Sequence, residues 1–167
     1  MKHDVGRISA IIVCILVVLS CDKGLEQSSR SRDRYPPNTR DQVTIAQGAW
    51  GNVWFWEGDF MPFGWGNITP VIRKVYAYQL TNLQQVDQVP YTPFYRRILS
   101  QVVDSAFSNS TGFFQISLPP GRYSFFVKED SLFYANGYDG SGNILSATIK
   151  KDSVTQVQID IDYKASF

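Results

Sequence analysis

The sequence predicts an all-β fold, a seven-stranded β-sandwich of the Greek-key type. After Ala46, short segments of alternating or β-branched apolar residues follow one another, and clusters of Gly, Pro and Asn separate them. About 120 residues follow Ala46, enough to bury the core of one domain without a disulfide. We find no internal repeat and expect one sandwich over residues 46–167.

Each predicted strand is a segment of this kind. In chain order the seven are 50–57, 73–80, 99–107, 113–118, 123–129, 144–149 and 154–163. Residues 81–93 are predicted as a polar connection and 94–98 as one helical turn. Asn109 to Gly112 is predicted to turn the third strand back into the fourth as a hairpin. Pro119-Pro120-Gly121 ends the fourth strand, because proline has no N–H to donate to a ladder.

The first predicted strand is rich in aromatic residues. Val53 and Phe55 lie on one face and Trp54 and Trp56 on the other. Only one of these faces can point into the core of a two-layer sandwich, so the other is exposed unless the loop 59–70 covers it. Exposed indoles stack on sugars or dock proteins. Trp54, Trp56 and Trp65 are therefore candidate ligand-binding residues, with self-covering by the loop as the alternative.

The first 21 residues have the features of a secretory signal. Lys2 and Arg7 precede the apolar stretch 8–19, which is followed by Ser20 and Cys21. The stretch has 12 residues, whereas a spanning helix needs about 20. Val18-Leu19-Ser20-Cys21 resembles the lipobox of bacterial lipoproteins, which implies that Cys21 carries lipid such as palmitate and begins the mature chain. A signal cut without lipidation and a single spanning helix are the alternatives.

Between the signal and the sandwich, the chain is polar and contains proline. We predict a signal peptide over 1–20 and a lipid-anchored flexible tether over 21–45. Four arginines of the tether either contact anionic headgroups or only keep it soluble: Arg30, Arg32, Arg34 and Arg40. The expected location is a membrane of the bacterial cell envelope, with the outer membrane preferred and the leaflet left open.

A longer pattern lies in residues 109–127. The segment NSTGFFQISLPPGRYSFFV resembles the D-x-x-G-x-F-x-x-x-L-P-P-G-x-Y-x-x-x-V signature of carboxypeptidase regulatory-like domains. The resemblance implies a transthyretin-like sandwich in which Phe114 and Tyr123 point inward on paired strands, with their register fixed by the Pro-Pro-Gly corner. Asn109 stands where that family usually has Asp. Residues 46–167 are similar to small lipoproteins built on this domain, which implies nothing specific about activity.

The composition of the expected mature chain excludes several functions. Removing residues 1–20 removes His3, which is the only histidine, and leaves Cys21 as the only cysteine. Ser-His-Asp and Cys-His catalysis and the usual zinc ligand sets are then absent. The mature chain keeps 14 Lys+Arg and 14 Asp+Glu, and this neutral balance argues against nucleic-acid binding. We expect no enzyme and no cofactor, but a structural or interaction module that contacts envelope proteins or glycans.

Two groups of residues with oxygen-bearing side chains are weaker candidate sites. Glu57 and Asp59 lie two residues apart, as a pair of glycosidase carboxylates could, and turn residues beside Gly58 that cap a strand end are the preferred alternative. Asp139, Ser141 and Asn143 have the spacing of the first three ligands of a calcium loop. The twelfth position of that loop is a lysine rather than the required Glu, and a glycine-rich turn is the alternative.

Overall fold

The computed structural model describes residues 39–167, and these residues form two β-sheets packed face to face. The all-β prediction is confirmed for this part of the chain. Its helical segments are two 3-10 turns, Arg40–Gln42 and Leu83–Gln85. Within residues 39–167, no helix has the length and apolar character needed to cross a bilayer. The predicted signal peptide and Cys21 lie outside the described residues.

The described residues contain eleven strands rather than the seven predicted. They are β1 Gly48–Asp59, β2 Gly66–Pro70, β3 Lys74–Gln79, β4 Val86–Gln88, β5 Phe94–Ile98, β6 Val102–Phe107, β7 Phe113–Ser117, β8 Gly121–Glu129, β9 Leu132–Tyr134, β10 Ser146–Ile149 and β11 Val154–Ser166. All seven predicted segments contain a strand. The additional strands, β2, β4, β5 and β9, are short, and none carries the alternation that marks a half-buried strand.

The first sheet is built around β1. The last strand, β11, runs parallel to β1 on one side, while β7 and β2 pair with successive halves of β1 on the other. The second sheet has the order β4-β5-β9-β8-β3-β6, with β10 also paired to β8, and its strand pairs are antiparallel. The long β1 therefore fixes the positions of three other strands.

The main core lies between the two sheets. Its buried side chains alternate along β1, β7 and β11 on one side and along β3 and β8 on the other. They include Val53, Phe55, Phe114, Ile116, Ile159, Ile161, Val75, Phe125 and Val127. Each such side chain contributes about 1.5–3 kcal/mol by burial, so the core can hold the domain together without a disulfide.

A second buried cluster covers the outer face of the second sheet. Tyr95 of β5 is fully buried in it and packs edge-on against Phe126, with ring centroids 5.5 Å apart. The neighbouring Phe94 instead packs against the main core. Adjacent residues that face opposite sides require an extended chain. The prediction of a helical turn at 94–98 is therefore wrong, and tertiary packing is the reason.

The connections on either side of β7 also differ from the prediction. β6 and β8 belong to the second sheet and β7 to the first, so the turn at 109–112 and the Pro-Pro-Gly corner both cross between sheets. Phe114 and Tyr123 do point into the core, but from opposite sheets and not from paired strands. The corner ends β7 without setting a register, because its prolines cannot continue a ladder.

The turn before β7 places that strand directly beside β1. The N–H of Val53 donates to the carbonyl oxygen of Gly112 at 2.9 Å. Gly112 has φ +74°, and a Cβ there would lie 2.6 Å from the carbonyl oxygen of Val53. Only glycine fits both the left-handed conformation and the close approach.

The last residues of the predicted tether contact the sandwich. Thr39 is 2% exposed, and its hydroxyl donates to Asn52 Oδ1 of β1 at 2.7 Å. Thr44 exchanges two hydrogen bonds with the side chain of Gln115 in β7. The chain therefore joins the sandwich at Thr39, on the outer face of the first sheet.

Candidate contact site

The tryptophans of β1 are buried to different degrees. Trp50 and Trp54 are each only 4% exposed, although the opposite face of the strand, with Val53 and Phe55, fills the main core. One face of this strand points into the main core, and the outer face is buried as well at Trp50 and Trp54. Trp54, a candidate ligand-binding residue, thus offers no ring face to a ligand.

Trp56 lies at the end of β1 and is partly covered. Its indole Nε1 donates to Asp160 Oδ1 of β11 at 3.0 Å. The rings of Phe60 and Phe167 lie against it, with centroids 5.0 Å and 6.3 Å away. The covering proposed for the loop 59–70 is therefore made in part by Phe60, while β2 lies beside β1 and not over its face.

The segment between β1 and β2, residues 60–65, exposes large apolar side chains, and we call it the aromatic loop. Phe63 is fully exposed, at 101% of its reference area, and Trp65 is 83% exposed. Met61 is also exposed. Phe63 has φ +74°, a left-handed conformation that non-glycine residues adopt at a cost. Among the three candidate tryptophans, Trp65 is the one available for contact.

Hydrogen bonds hold the aromatic loop in one shape. The N–H of Gly64 donates to the carbonyl oxygen of Met61 at 2.8 Å, and the N–H of Asp59 donates to that of Trp65 at 3.3 Å. The N–H of Phe60 donates to Ser166 of β11 at 2.8 Å. A Cβ at position 66 would lie 2.4 Å from the Phe60 ring, so glycine there lets this ring pack down. The exposed side chains thus project from a fixed base.

Glu57 and Asp59, the possible carboxylate pair, lie at the base of this loop. Both are exposed. Asp59 Oδ1 accepts a hydrogen bond from the N–H of Met61 at 2.9 Å, which is the role of an aspartate that begins a turn. The geometry favours the turn interpretation of these two residues.

The Asp139 cluster forms a closed turn. Asp139 Oδ1 accepts from the N–H groups of Ser141 and Asn143, and Oδ2 accepts from Asn143 Nδ2 and the Ser146 hydroxyl, all within 2.9 Å. Arg122 forms an ion pair with the same carboxylate at 2.9 Å. These hydrogen bonds, that of the Asn143 side chain foremost, hold the pKa of Asp139 well below its usual range.

Within this turn, the carboxylate oxygens are engaged by donors, and Asn143 presents a donor where a cation would need an oxygen. Across residues 39–167, no group of three or more His, Cys, Asp or Glu side chains is arranged to hold a metal ion. The weak candidate set Asp139, Ser141 and Asn143 is therefore best described as a turn that fastens the segment before β10 to β8.

Sequence reasoning missed a buried polar group at the end of β8. Glu129 is 8% exposed and forms an ion pair with Arg73. Its Oε2 accepts a hydrogen bond from the Tyr163 hydroxyl at 3.1 Å. Burial raises the pKa of Tyr163, and its bond to Glu129 adds to the shift. These contacts connect β8 to β11 and to the residue before β3. The one signal for them in the sequence is that Glu129 is an acidic residue at a position where the alternation of β8 expects an apolar one.

No family model, curated protein or solved structure matches this chain. The proposals that follow therefore depend on its own residues and geometry.

Proposed function

We propose that this protein is a membrane-anchored envelope lipoprotein whose β-sandwich works by contact and not by catalysis. The signal pattern that ends at Cys21 supports the anchor, and the expected mature chain offers neither histidine nor a free thiol for catalysis. The observation that carries the proposal is the aromatic loop, where Phe63 and Trp65 project from a hydrogen-bonded base.

Such a loop suits binding for a physical reason. Exposed aromatic side chains add nothing to the core of the free protein, but they bury a large apolar area in a complex. Because the loop is already held in shape, binding does not need to order its backbone. The sandwich is then the rigid base that presents this contact site.

For the finer fold type, we propose a carboxypeptidase regulatory-like sandwich with Greek-key connections, in which β2, β4, β5 and β9 supplement seven principal strands. Three features of the motif support this assignment. Asn109 caps the turn before β7, Phe114 and Leu118 lie in the core, and the Tyr123 hydroxyl donates across the corner to the carbonyl oxygen of Pro119 at 3.0 Å.

A second candidate function is the binding of glycans or peptides at the Trp-rich segment 50–65. The exposure of Trp65 favours it, because one accessible indole can stack on a sugar ring or on a peptide side chain. Trp54 is buried, and Trp56 is half-buried against Phe60. The site would therefore consist of Trp65 and Phe63, not of the predicted row of three tryptophans.

Two measurements on the full chain in a bacterial host test the proposal. We expect Cys21→Ala to move the protein from the membrane fraction to the soluble fraction without loss of fold, and retention in the membrane fraction would contradict the anchor. A photo-crosslinking amino acid at Phe63 should form adducts in intact cells. The same amino acid at Tyr91, a fully exposed aromatic in the turn between β4 and β5, should not. Equal crosslinking at both positions would contradict a contact site at the loop.

A further inference from the structure

We propose that the aromatic loop inserts into the interface of the lipid bilayer, so that the sandwich lies against the membrane that holds its anchor. The part concerning the anchor rests on the proposed function, while the insertion of the loop is a property of the described residues. The partner that the loop contacts is then a lipid surface.

The chemistry of the loop fits the boundary between headgroups and acyl chains. The 13 residues from Phe60 to Ile72 contain no charged side chain, and Met61, Phe63 and Trp65 are the exposed ones in the loop. Tryptophan and phenylalanine are characteristic of protein segments that dip into this boundary, where an apolar ring leaves water without losing hydrogen bonds.

The same residues fit a sugar less well. Residues 60–65 carry no side chain that hydrogen-bonds strongly other than the Trp65 indole N–H. The carbonyl oxygens of Met61 and Trp65 already accept hydrogen bonds within the loop. Sugar hydroxyls lose their water on binding and need polar partners in return, whereas acyl chains need none.

The length of chain between the anchor and the sandwich allows this contact. Seventeen residues separate Cys21 from Thr39, and a chain of that length reaches at most about 60 Å when fully extended. Thr39 is bonded to Asn52 in the middle of β1, and the strand from Asn52 to Asp59 runs about 23 Å toward the loop. The loop can therefore reach the bilayer that holds Cys21.

The backbone of the loop directs Phe63 into solvent, since it combines a left-handed φ of +74° with complete exposure. Tyr91 shares both features, so this conformation alone does not mark a contact site. The segment around Phe63 differs because residues 60–72 contain no charged side chain, and this difference favours a bilayer as its surroundings.

The test uses the lipidated full chain in phosphatidylcholine vesicles whose acyl chains carry bromine, which quenches nearby indoles. We expect tryptophan emission to be quenched in the wild type and most of that quenching to be lost in Trp65→Phe, with both proteins still bound to the vesicles. Equal quenching in the two would overturn the proposal and direct the search to a protein or glycan partner.

A second arm separates the loop from the anchor. In the unlipidated Cys21→Ala chain, Phe63→Ala/Trp65→Ala should lower partitioning into neutral vesicles by about tenfold or more. Tyr91→Ala, which removes an equally exposed aromatic at φ +57°, should leave it unchanged. If both changes have the same effect, the loop proposal fails. If Cys21→Ala fails to release the protein in cells, only the anchor fails.

Discussion

Phe63 has a backbone conformation and an exposure that do not stabilise the fold. It is fully exposed at φ +74°, and a left-handed conformation costs a non-glycine residue about 1–2 kcal/mol. We predict that Phe63→Gly leaves the free energy of unfolding unchanged or raises it by up to about 1 kcal/mol, because glycine removes the strain but adds entropy to the unfolded chain. Urea denaturation measures this change.

A matched control exists in the turn between β4 and β5. Tyr91 is also fully exposed and has φ +57°, so Tyr91→Gly should change stability in the same direction. The two variants should differ in vesicle binding, which only Phe63→Gly weakens. A loss of more than about 1 kcal/mol in Phe63→Gly would mean that the ring packs within the domain, contrary to its exposure.

The carboxyl group of Asp160 lies at a partly buried position on β11, where a charge is less favourable than in water. Burial raises the pKa of this carboxyl above its usual range, although hydrogen bonds from Gln158 and Trp56 partly oppose the shift. A folded pKa above the unfolded value means that the protonated carboxyl stabilises the fold at low pH, and that this contribution is lost as the pH rises through the folded pKa.

We predict that Asp160→Asn raises the free energy of unfolding at pH 7, because it removes the buried charge and its Oδ1 can still accept from Trp56 Nε1. The gain should shrink as the pH falls below about 4, where the wild-type carboxyl is protonated in both states. Thermal denaturation between pH 3 and pH 8 gives the comparison. A variant less stable at pH 7 would show that the hydrogen bonds accepted by the charged carboxylate stabilise the fold by more than its burial costs.

At the scale of single elements, short alternating or β-branched apolar segments indicate seven of the strands but not which strands pair with each other. β1, β3 and β8 are predicted from short segments rich in aromatic and β-branched residues, and β1 and β8 are buried on both faces. β5 is not predicted, because its buried aromatic, Tyr95, and its partly buried aromatic, Phe94, face two different clusters. The exposure of Trp65 could not be separated from the burial of Trp54, since both depend on which segments cover β1.

The turn before β7 gives a prediction about the motif. Asn109 Oδ1 accepts from the N–H groups of Thr111 and Phe113 at 2.9 Å and 3.1 Å. Its Nδ2 donates to Gln42 Oε1 at 3.0 Å. Asparagine thus serves the turn through its oxygen and the entering chain through its amide nitrogen.

We predict that Asn109→Asp lowers the free energy of unfolding by less than about 0.5 kcal/mol, because the carboxylate keeps the acceptor and loses one exposed hydrogen bond. Asn109→Ala should cost about 1–2 kcal/mol, since it leaves the N–H groups of the turn without their acceptor. Chemical denaturation of both variants tests this. Equal losses would mean that the bond to Gln42, and not the turn, accounts for the contribution of Asn109.

For the whole molecule, the order of strands in the sheets was beyond reach of the sequence. β7 lies between β6 and β8 in the chain but belongs to the other sheet, and a short turn rich in Gly or Pro is compatible with a hairpin or with a crossing between sheets. The parallel pairing of β1 with β11 joins the two ends of the domain. Thr39, the first described residue, is bonded to Asn52 of β1 and so lies against the strand that leads to the aromatic loop.

The proposed insertion of the loop predicts that quenching by lipids depends on the length of chain between Cys21 and Thr39. Deleting residues 23–34 leaves five residues between Cys21 and Thr39, a reach of at most about 20 Å, which is less than the roughly 23 Å from Asn52 to the end of β1. We predict that this deletion keeps the protein in the membrane fraction but reduces the quenching of its tryptophans by brominated lipids to the level of Trp65→Phe.

A Gly-Ser segment of 12 residues in place of 23–34 should restore the quenching, although it lacks Arg30, Arg32 and Arg34. Restoration only when these arginines are present would show that charge, and not reach, brings the loop to the bilayer.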